Sequence, residues 1–525
     1  MAEHEKTTGR TTVSPSRATL LAVCQLAVLA LGACGDDRPR EKEIEKERAA
    51  AAEAEQVEPD AADDGGTRAA SPEPAEPQAP EGRRVVLIVI DTLRADRLGC
   101  YGYEEQEVTP AIDRLAEEGV LFEKFHSASP WTGASFASIL TGVAPTVHRA
   151  GKRLPSKSKE GESFLGVRVT PIGKKVATLP ELLGETTSAA IVTNAFLHPS
   201  LGFARGFNHY DHEVAGLYKA RRADEVTDAA IEWLRGHEDD SFFLMVHYFD
   251  PHISYDPPPE YRKRFAKPPS GRIGVPFADH AAARSGELDP SENEERFIRG
   301  LYNGEVRFVD DQIGRMLEEM DGLGMLDDSW IALTADHGEE QFDHGSFDHG
   351  HRYEDEVTRV PLVIRAPGGK WKAGERVGWS ARHVDIAPTV LDWLGVEPHP
   401  QFSGESLMPL ISGEEEQHRP AYMECNIYWK ARRALFDGRY KLIRDVEGER
   451  GYMYDLDEDP GEQNRFGKDH PRYAELEERL SVLVTALEKR ARELRTGDAG
   501  QEAVELSEDV SGALRALGYL EENEQ

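Results

Sequence analysis

The chain has 525 residues, with 62 Lys and Arg against 96 Asp and Glu, for a formal net charge of -34. That length can bury one large core or two modest ones. The charge excludes nucleic-acid binding, and excludes adhesion to an anionic membrane surface through electrostatics.

In chain order, Arg17 leads into an apolar run from Ala18 to Ala33, which is too short for a comfortable membrane span and reads as the core of a signal peptide. It ends Leu31-Gly32-Ala33-Cys34-Gly35, which resembles the lipobox of bacterial lipoproteins. The resemblance implies cleavage before Cys34 and lipidation of its thiol. It places the mature protein in the bacterial cell envelope, outside the cytoplasm, facing the periplasm or outer membrane and touching the membrane through the lipid anchor alone. From 34 to 83 the sequence is Glu, Ala, Lys, Pro and Asp with almost no large apolar residue, so it reads as a disordered acidic tether. Of the four cysteines, Cys24 falls in the leader and Cys34 at the anchor. Only Cys100 and Cys425 could pair in the mature domain, and spacing does not decide whether they do.

From Arg84 onward apolar β-rich runs alternate with amphipathic patterns, which predicts an α/β domain with a large, mostly parallel sheet between helices. Strands are expected at Arg84 to Ile90, Ala189 to Thr193, Phe242 to Tyr248, Trp330 to Thr334 and Pro361 to Ile364. Thr109 followed by Pro110 predicts a capped helix start, and further helices fit Asp224 to Leu234, Phe297 to Glu319 and Ile386 to Leu394. A Lys- and Ser-rich patch at Lys152 to Lys159 reads as an exposed insertion. The catalytic domain is expected over 84–419, a smaller C-terminal sheet subdomain over 420–470, and a helix with tail over 471–525, the helix running from Tyr473 to Arg495 and the tail ending in the apolar Leu514 to Leu520.

In open sheets ligands bind beyond the carboxyl ends of the strands. Asp91, Asp250, Asp336 and His337 occupy such positions and should converge on one crevice. An Asp, Asp and His set suits Zn²⁺ or Mn²⁺ over Ca²⁺, because calcium takes oxygen ligands and avoids imidazole. Ser129-Pro130-Trp131-Thr132 reads as a loop entering a buried helix, so the Thr132 hydroxyl sits at the helix start, where developing negative charge is stabilised. With Asp91, Asp336 and His337 it forms a metal-bound nucleophile set, in which a cation lowers the hydroxyl pKa. His344, His349 and His351 follow His337, and His252 follows Asp250. Two arrangements fit them: a second metal, or donors to the ester oxygens and to the leaving group, with His252 and His349 in the catalytic role.

These residues lie in motifs that resemble the sulfatases of the alkaline phosphatase superfamily. They are Val89-Ile90-Asp91-Thr92-Leu93-Arg94-Ala95-Asp96, Thr109 to Ala116, the Thr132 segment ending Leu140-Thr141-Gly142, Phe249-Asp250-Pro251-His252, Asp336-His337-Gly338-Glu339, Val384 to Thr389, Gly438 to Ile443 and Tyr454 to Glu462. The resemblance implies an alkaline phosphatase-like sheet with a smaller C-terminal α+β subdomain, and metal-dependent ester hydrolysis. The sequence departs from it at the nucleophile. Sulfatases carry a Cys or Ser, in a Cys-x-Pro-x-Arg context, that becomes formylglycine; here Thr132, Ala134 and Phe136 stand at those places, so no formylglycine is expected. The second Asp of the opening pair is Thr92. The Gly-Lys-x-His segment is Thr193-Asn194-Ala195-Phe196, which leaves Asn194 as a substrate or second-metal residue alongside Asp250, His344 and His351. These changes resemble superfamily phosphotransferases and phosphodiesterases that use a metal-bound Thr, and there a histidine at the place of His349 contacts phosphate.

The expected activity is therefore a metal-dependent hydrolase of sulfate or phosphate esters, acting on a sulfated or phosphorylated small molecule, glycan or lipid. The alternatives are a phosphodiesterase or phosphotransferase of envelope glycans or lipids, and a non-catalytic binding lipoprotein.

Overall fold

Arg84–Ile90 (β1) is buried along its whole length, as a run of Val, Leu and Ile between two neighbours requires. A computed structural model describes residues 82–154, 168–212, 221–268, 290–425, 431–448, 450–495 and 504–505. All belong to the unit Pro77–Gln525. The leader, Cys34, the tether, most of the Lys152 to Lys159 patch and the apolar tail lie outside the described residues.

Around β1 the main sheet has eight strands. In chain order they are β1, Val120–Phe122 (β2), Thr187–Val192 (β3), His209–His212 (β4), Phe242–Tyr248 (β5), Ser329–Ala335 (β6), Leu362–Arg365 (β7) and Glu375–Val377 (β8). Their spatial order is β8-β2-β7-β6-β1-β5-β3-β4. The sheet is mostly parallel; β7 alone runs antiparallel to both its neighbours. Helix Pro110–Glu117 (α1) packs on the long helix Glu292–Gly322 (α4), as does Ala223–Arg235 (α3). The helix Thr132–Thr141 (α2) packs on Ile386–Trp393 (α5). A separate antiparallel sheet, Ala421–Cys425 (β9), Arg432–Phe436 (β10), Tyr440–Asp445 (β11) and Gly451–Asp455 (β12), is backed by the helix Tyr473–Arg495 (α6).

Two local expectations are corrected. The hydroxyl of Thr109 does not cap α1: it accepts the Gly99 N–H at 3.0 Å and donates to Asp113 at 3.1 Å. The Asp310 carboxylate on α4 accepts the Ala111 and Ile112 N–H groups instead, at 3.0 and 2.8 Å. Helix α4 also begins five residues before Phe297, because Ser291 and Glu294 form a capping box that starts it at Glu292.

Register places the site. Ile90 lies opposite Tyr248 on β5 and Ala335 on β6. The next residue of each parallel strand therefore leaves the sheet at the same level, which brings Asp91 and Asp336 together at the carboxyl edge. Cys100 and Cys425 are both free thiols.

Candidate active site

Asp91, Asp336 and His337 are fully buried and offer ligand atoms within 4.8 Å of one another. His337 Nε2 lies 3.4 Å from Asp336 Oδ2 and 3.8 Å from Asp91 Oδ1. The His337 Nδ1–H donates to the Gly338 carbonyl at 2.9 Å, which directs Nε2 toward the carboxylates. The turn is tight: a Cβ on Gly338 would sit 2.0 Å from the Glu356 carbonyl oxygen.

The outer oxygens of both carboxylates are held. Asn194 Nδ2–H donates to Asp91 Oδ2 at 2.7 Å, and His247 Nε2 lies 3.4 Å from the same oxygen. Asp336 Oδ1 accepts the His337 N–H at 2.8 Å and the Thr92 N–H at 3.2 Å. Thr92 adopts φ 54, a backbone conformation that a β-branched residue rarely takes. That conformation turns its amide onto Asp336, while its carbonyl accepts the Tyr302 hydroxyl at 2.8 Å.

The inner oxygens, Asp91 Oδ1 and Asp336 Oδ2, are buried and have no hydrogen-bond partner. Burial pushes the Asp91 carboxyl up to about 7, and burial together with the Asp91 charge pushes Asp336 up to about 8. Among the described residues their charge partners within 4 Å are His247 and His337. Burial lowers His337 to about 4 and His247 to about 3, so both are neutral near pH 7. Two buried carboxylates with orphaned oxygens facing a neutral imidazole are a donor set for a divalent cation.

Thr132 is the first residue of α2, and its Oγ1 lies 3.4 Å from His337 Nε2. Trp131 takes the preceding capping position, and no side chain caps the helix. The first-turn amides are thus left for an anionic ligand. Behind Thr132, Phe136 packs edge-on against His247 with ring centroids 5.0 Å apart. The sulfatase-like arginine position is thus a buried aromatic wall.

A second buried cluster stands beside the first. Glu339, Asp348 and His349 also bring ligand atoms within 4.8 Å. His349 Nδ1–H donates to Glu339 Oε1 at 2.9 Å and lies 3.1 Å from Asp348 Oδ1. The His349 ring lies 4.4 Å from that of His337 and 5.0 Å from that of His252. His252 stacks on Phe249, and burial holds its imidazole well below the usual histidine range. Tyr255 donates to Glu339 Oε2 at 3.3 Å.

Three predicted residues do not join either cluster. Asp250 accepts the Ala223 N–H at 2.9 Å at the start of α3. His344 pairs with Glu356 at 3.2 Å. His351 spans the Ser346 hydroxyl and the His349 carbonyl, both at 3.0 Å, and so braces the loop. Glu339 and Asp348 were missed as His349 partners. Their signal is a repeat: Asp-His-Gly occurs at 336–338, 343–345 and 348–350.

With this geometry in view, the family profile described as Sulfatase matches residues 83–396. The chain belongs to the sulfatase family. A second profile, N-sulphoglucosamine sulphohydrolase, C-terminal, matches residues 342–490. Among the relatives, the multifunctional alkaline phosphatase superfamily protein PehA of Trinickia caryophylli is 28% identical over 404 residues, covering 63% of this chain and 77% of the relative. An N-acetylglucosamine-6-O-sulfatase of Bacteroides thetaiotaomicron is 26% identical over 522 residues, covering 80% and 89%. The fold is shared with a phosphonate monoester hydrolase of Agrobacterium radiobacter at TM-score 0.61 and 22% identity, covering 78% of this chain and 96% of that one. Sulfatase-family members are metal-dependent ester hydrolases, and the Asp91, Asp336 and His337 donor set fits that requirement.

Proposed function

We propose that this sulfatase-family chain hydrolyses phosphate esters, with sulfate esters as the secondary class, using Thr132 as nucleophile. The observation that carries the reading is the Thr132 hydroxyl, seated at an uncapped helix start 3.4 Å from His337 Nε2. Threonine is no precursor of formylglycine, so the hydroxyl itself must react. Asp91, Asp336 and His337, with Thr132, would hold a divalent cation, and the imidazole in the set favours Zn²⁺ or Mn²⁺ over Ca²⁺. Such a cation supplies Lewis acidity, lowering the hydroxyl pKa and neutralising charge on the ester.

The chain's own groups do the rest. Thr132 Oγ attacks phosphorus from the helix start; the Oγ–P bond forms, the bond to the leaving oxygen breaks, and the proton the hydroxyl gives up is balanced by the one that oxygen takes up. His349, aimed by Glu339 and Asp348, stands on the leaving-group side as a hydrogen-bond donor when its ring carries both protons, while His252, whose Nδ1–H goes to the Ile253 carbonyl, presents a neutral Nε2 that accepts. Water then attacks the phosphothreonine, the P–Oγ bond breaks, and the Thr132 hydroxyl is restored. A sulfothreonine would lack the geminal hydroxyl through which a formylglycine adduct collapses, which favours phosphorus over sulfur. The multifunctional name of the Trinickia relative supports a site open to more than one ester class.

The test is turnover of aryl phosphate, bis-aryl phosphate and aryl sulfate by the metal-replete protein and by Thr132→Ala. Loss of at least about 10³-fold in kcat/KM with the variant is expected, on the scale of losing a nucleophile. Equal activity of the variant refutes the mechanism, and a clear preference for aryl sulfate moves the substrate class. The lipid anchor at Cys34 belongs to the same proposal: membrane-fraction recovery should be lost in Cys34→Ala.

A further inference from the structure

A cavity of about 610 Å³ runs along helix α6, and none of the site residues described above lines it. Ala128, Ala144, Leu435, Leu483 and Leu487 line it, and Val482 stands at its mouth. Val482 is 65% exposed, one of two large apolar side chains exposed among the described residues. An amphipathic helix that lays part of its apolar face over an open groove leaves surface that water does not favour. Glu475, Glu478 and Arg479 on the same helix line the groove as well, as does Arg382 from earlier in the chain, and Glu475 pairs with Arg472 at 2.6 Å.

The chain carries a segment that matches this groove. Leu514-Arg515-Ala516-Leu517-Gly518-Tyr519-Leu520 places three leucines and a tyrosine in seven residues, and Arg515 is the one Lys or Arg after Glu505. The point from which this segment departs is fixed close to the groove. Val504 and Glu505 pair with Val169 and Arg168, and this short strand pairs in turn with Arg153–Leu154. Next to it, Lys152 Nζ pairs with Glu424 Oε1 at 3.2 Å, and the Tyr422 hydroxyl donates to Glu424 Oε2 at 3.0 Å. Tyr422 itself lines the groove. Residues 506–513 supply eight residues of connection, which reach about 26 Å when extended.

We propose that the C-terminal segment Leu514–Leu520 docks in the groove along α6, its leucines covering the apolar lining and Arg515 meeting Glu478. A short connection gives the tail an effective concentration in the millimolar range, above that of any second copy at ordinary protein concentrations.

The test places a thiol at the groove mouth, as Val482→Cys, in the full chain. Maleimide labelling at position 482 is followed by peptide mass spectrometry. It is compared between the full chain, a chain ended after Glu505, and a full chain carrying Leu514→Asp, Leu517→Asp and Leu520→Asp. Labelling should be about tenfold slower in the unaltered tail than in the other two, as a segment docked nine-tenths of the time predicts. Val482→Cys with Leu517→Cys should oxidise to a bond within one molecule. Equal labelling in all three with no such bond overturns the proposal. A bond only between two molecules assigns the groove to a second copy, and protection appearing only with vesicles of anionic phospholipid assigns it to the membrane; either result also overturns it.

Discussion

The Asp-His-Gly turns at 336–338 and 348–350 begin alike and end differently. In each the aspartate Oδ1 accepts the next histidine's N–H, at 2.8 Å in the first and 2.7 Å in the second. In the first turn Nδ1 of His337 donates to the Gly338 carbonyl, a neutral partner, and Asp336 keeps Oδ2 orphaned toward Asp91. In the second, Nδ1 of His349 faces two carboxylates, Glu339 and Asp348. The same tripeptide thus sets one ring beside an orphaned carboxylate pair, as a cation site requires, and the other between two carboxylates. Nδ1 carries the proton in both turns, so a neutral ring offers an Nε2 lone pair in either; what differs is that two facing carboxylates favour the doubly protonated ring, which alone has an Nε2–H to donate.

Breaking the first turn should have the larger effect. His337→Ala should lose bound divalent metal, read by elemental analysis after dialysis, together with activity by about 10³-fold or more. His349→Ala should keep its metal and lose about 10²-fold or more in kcat, as removal of a donor to developing charge does. If that variant also loses a metal equivalent, the second turn is a second cation site and the contrast fails. Glu339→Gln should cost on the order of tenfold, because it removes one of two orienting carboxylates and leaves Asp348 in place.

The smallest effect is on stability, and it separates the carboxylates of the first turn from ordinary ones. Asp91 and Asp336 have folded-state pKa values raised to about 7 and about 8 from 3.8. Between pH 4 and 8 the folded, metal-free chain therefore binds more protons than the unfolded chain, so its stability falls as pH rises through that window. The melting temperature of the metal-free protein should drop by on the order of a few °C from pH 5 to 8. Asp336→Asn should flatten the slope, and saturating Zn²⁺ or Mn²⁺ should reverse it, since the cation binds the deprotonated pair.

Much of this was legible in the sequence where one local rule dominates. An unbroken run of Val, Leu and Ile gave β1 its extent and a run of aromatic and aliphatic residues gave β5 its own, and the strand-end rule brought Asp91, Asp336 and His337 together. The same rule misplaced Asp250, which also ends a strand. Its oxygen meets the free amide of Ala223 at the start of α3, and only the packing of α3 beside β5 shows that. Thr109 failed for a similar reason: Asp310, about two hundred residues away, reaches the amides that a local cap would have taken. The partners of His349 were hidden because a histidine-dense loop names its donors without saying which ring each carboxylate faces.

The aromatic contact between Phe136 and His247 bears on how this site can change. The wall beside Asp91 is built from a position that formylglycine-type relatives reserve for arginine. Replacing Thr132 by Cys would restore the nucleophile's side-chain type alone. The oxidised aldehyde chemistry would still lack its cationic neighbour, and an arginine introduced at 136 would have to bury its charge against a neutral, fully enclosed imidazole. Formylglycine chemistry at this position would thus need several coordinated replacements in the core, each costly before the next is made. Under the proposed mechanism, the threonine is held in place by the residues behind it as firmly as by the reaction in front.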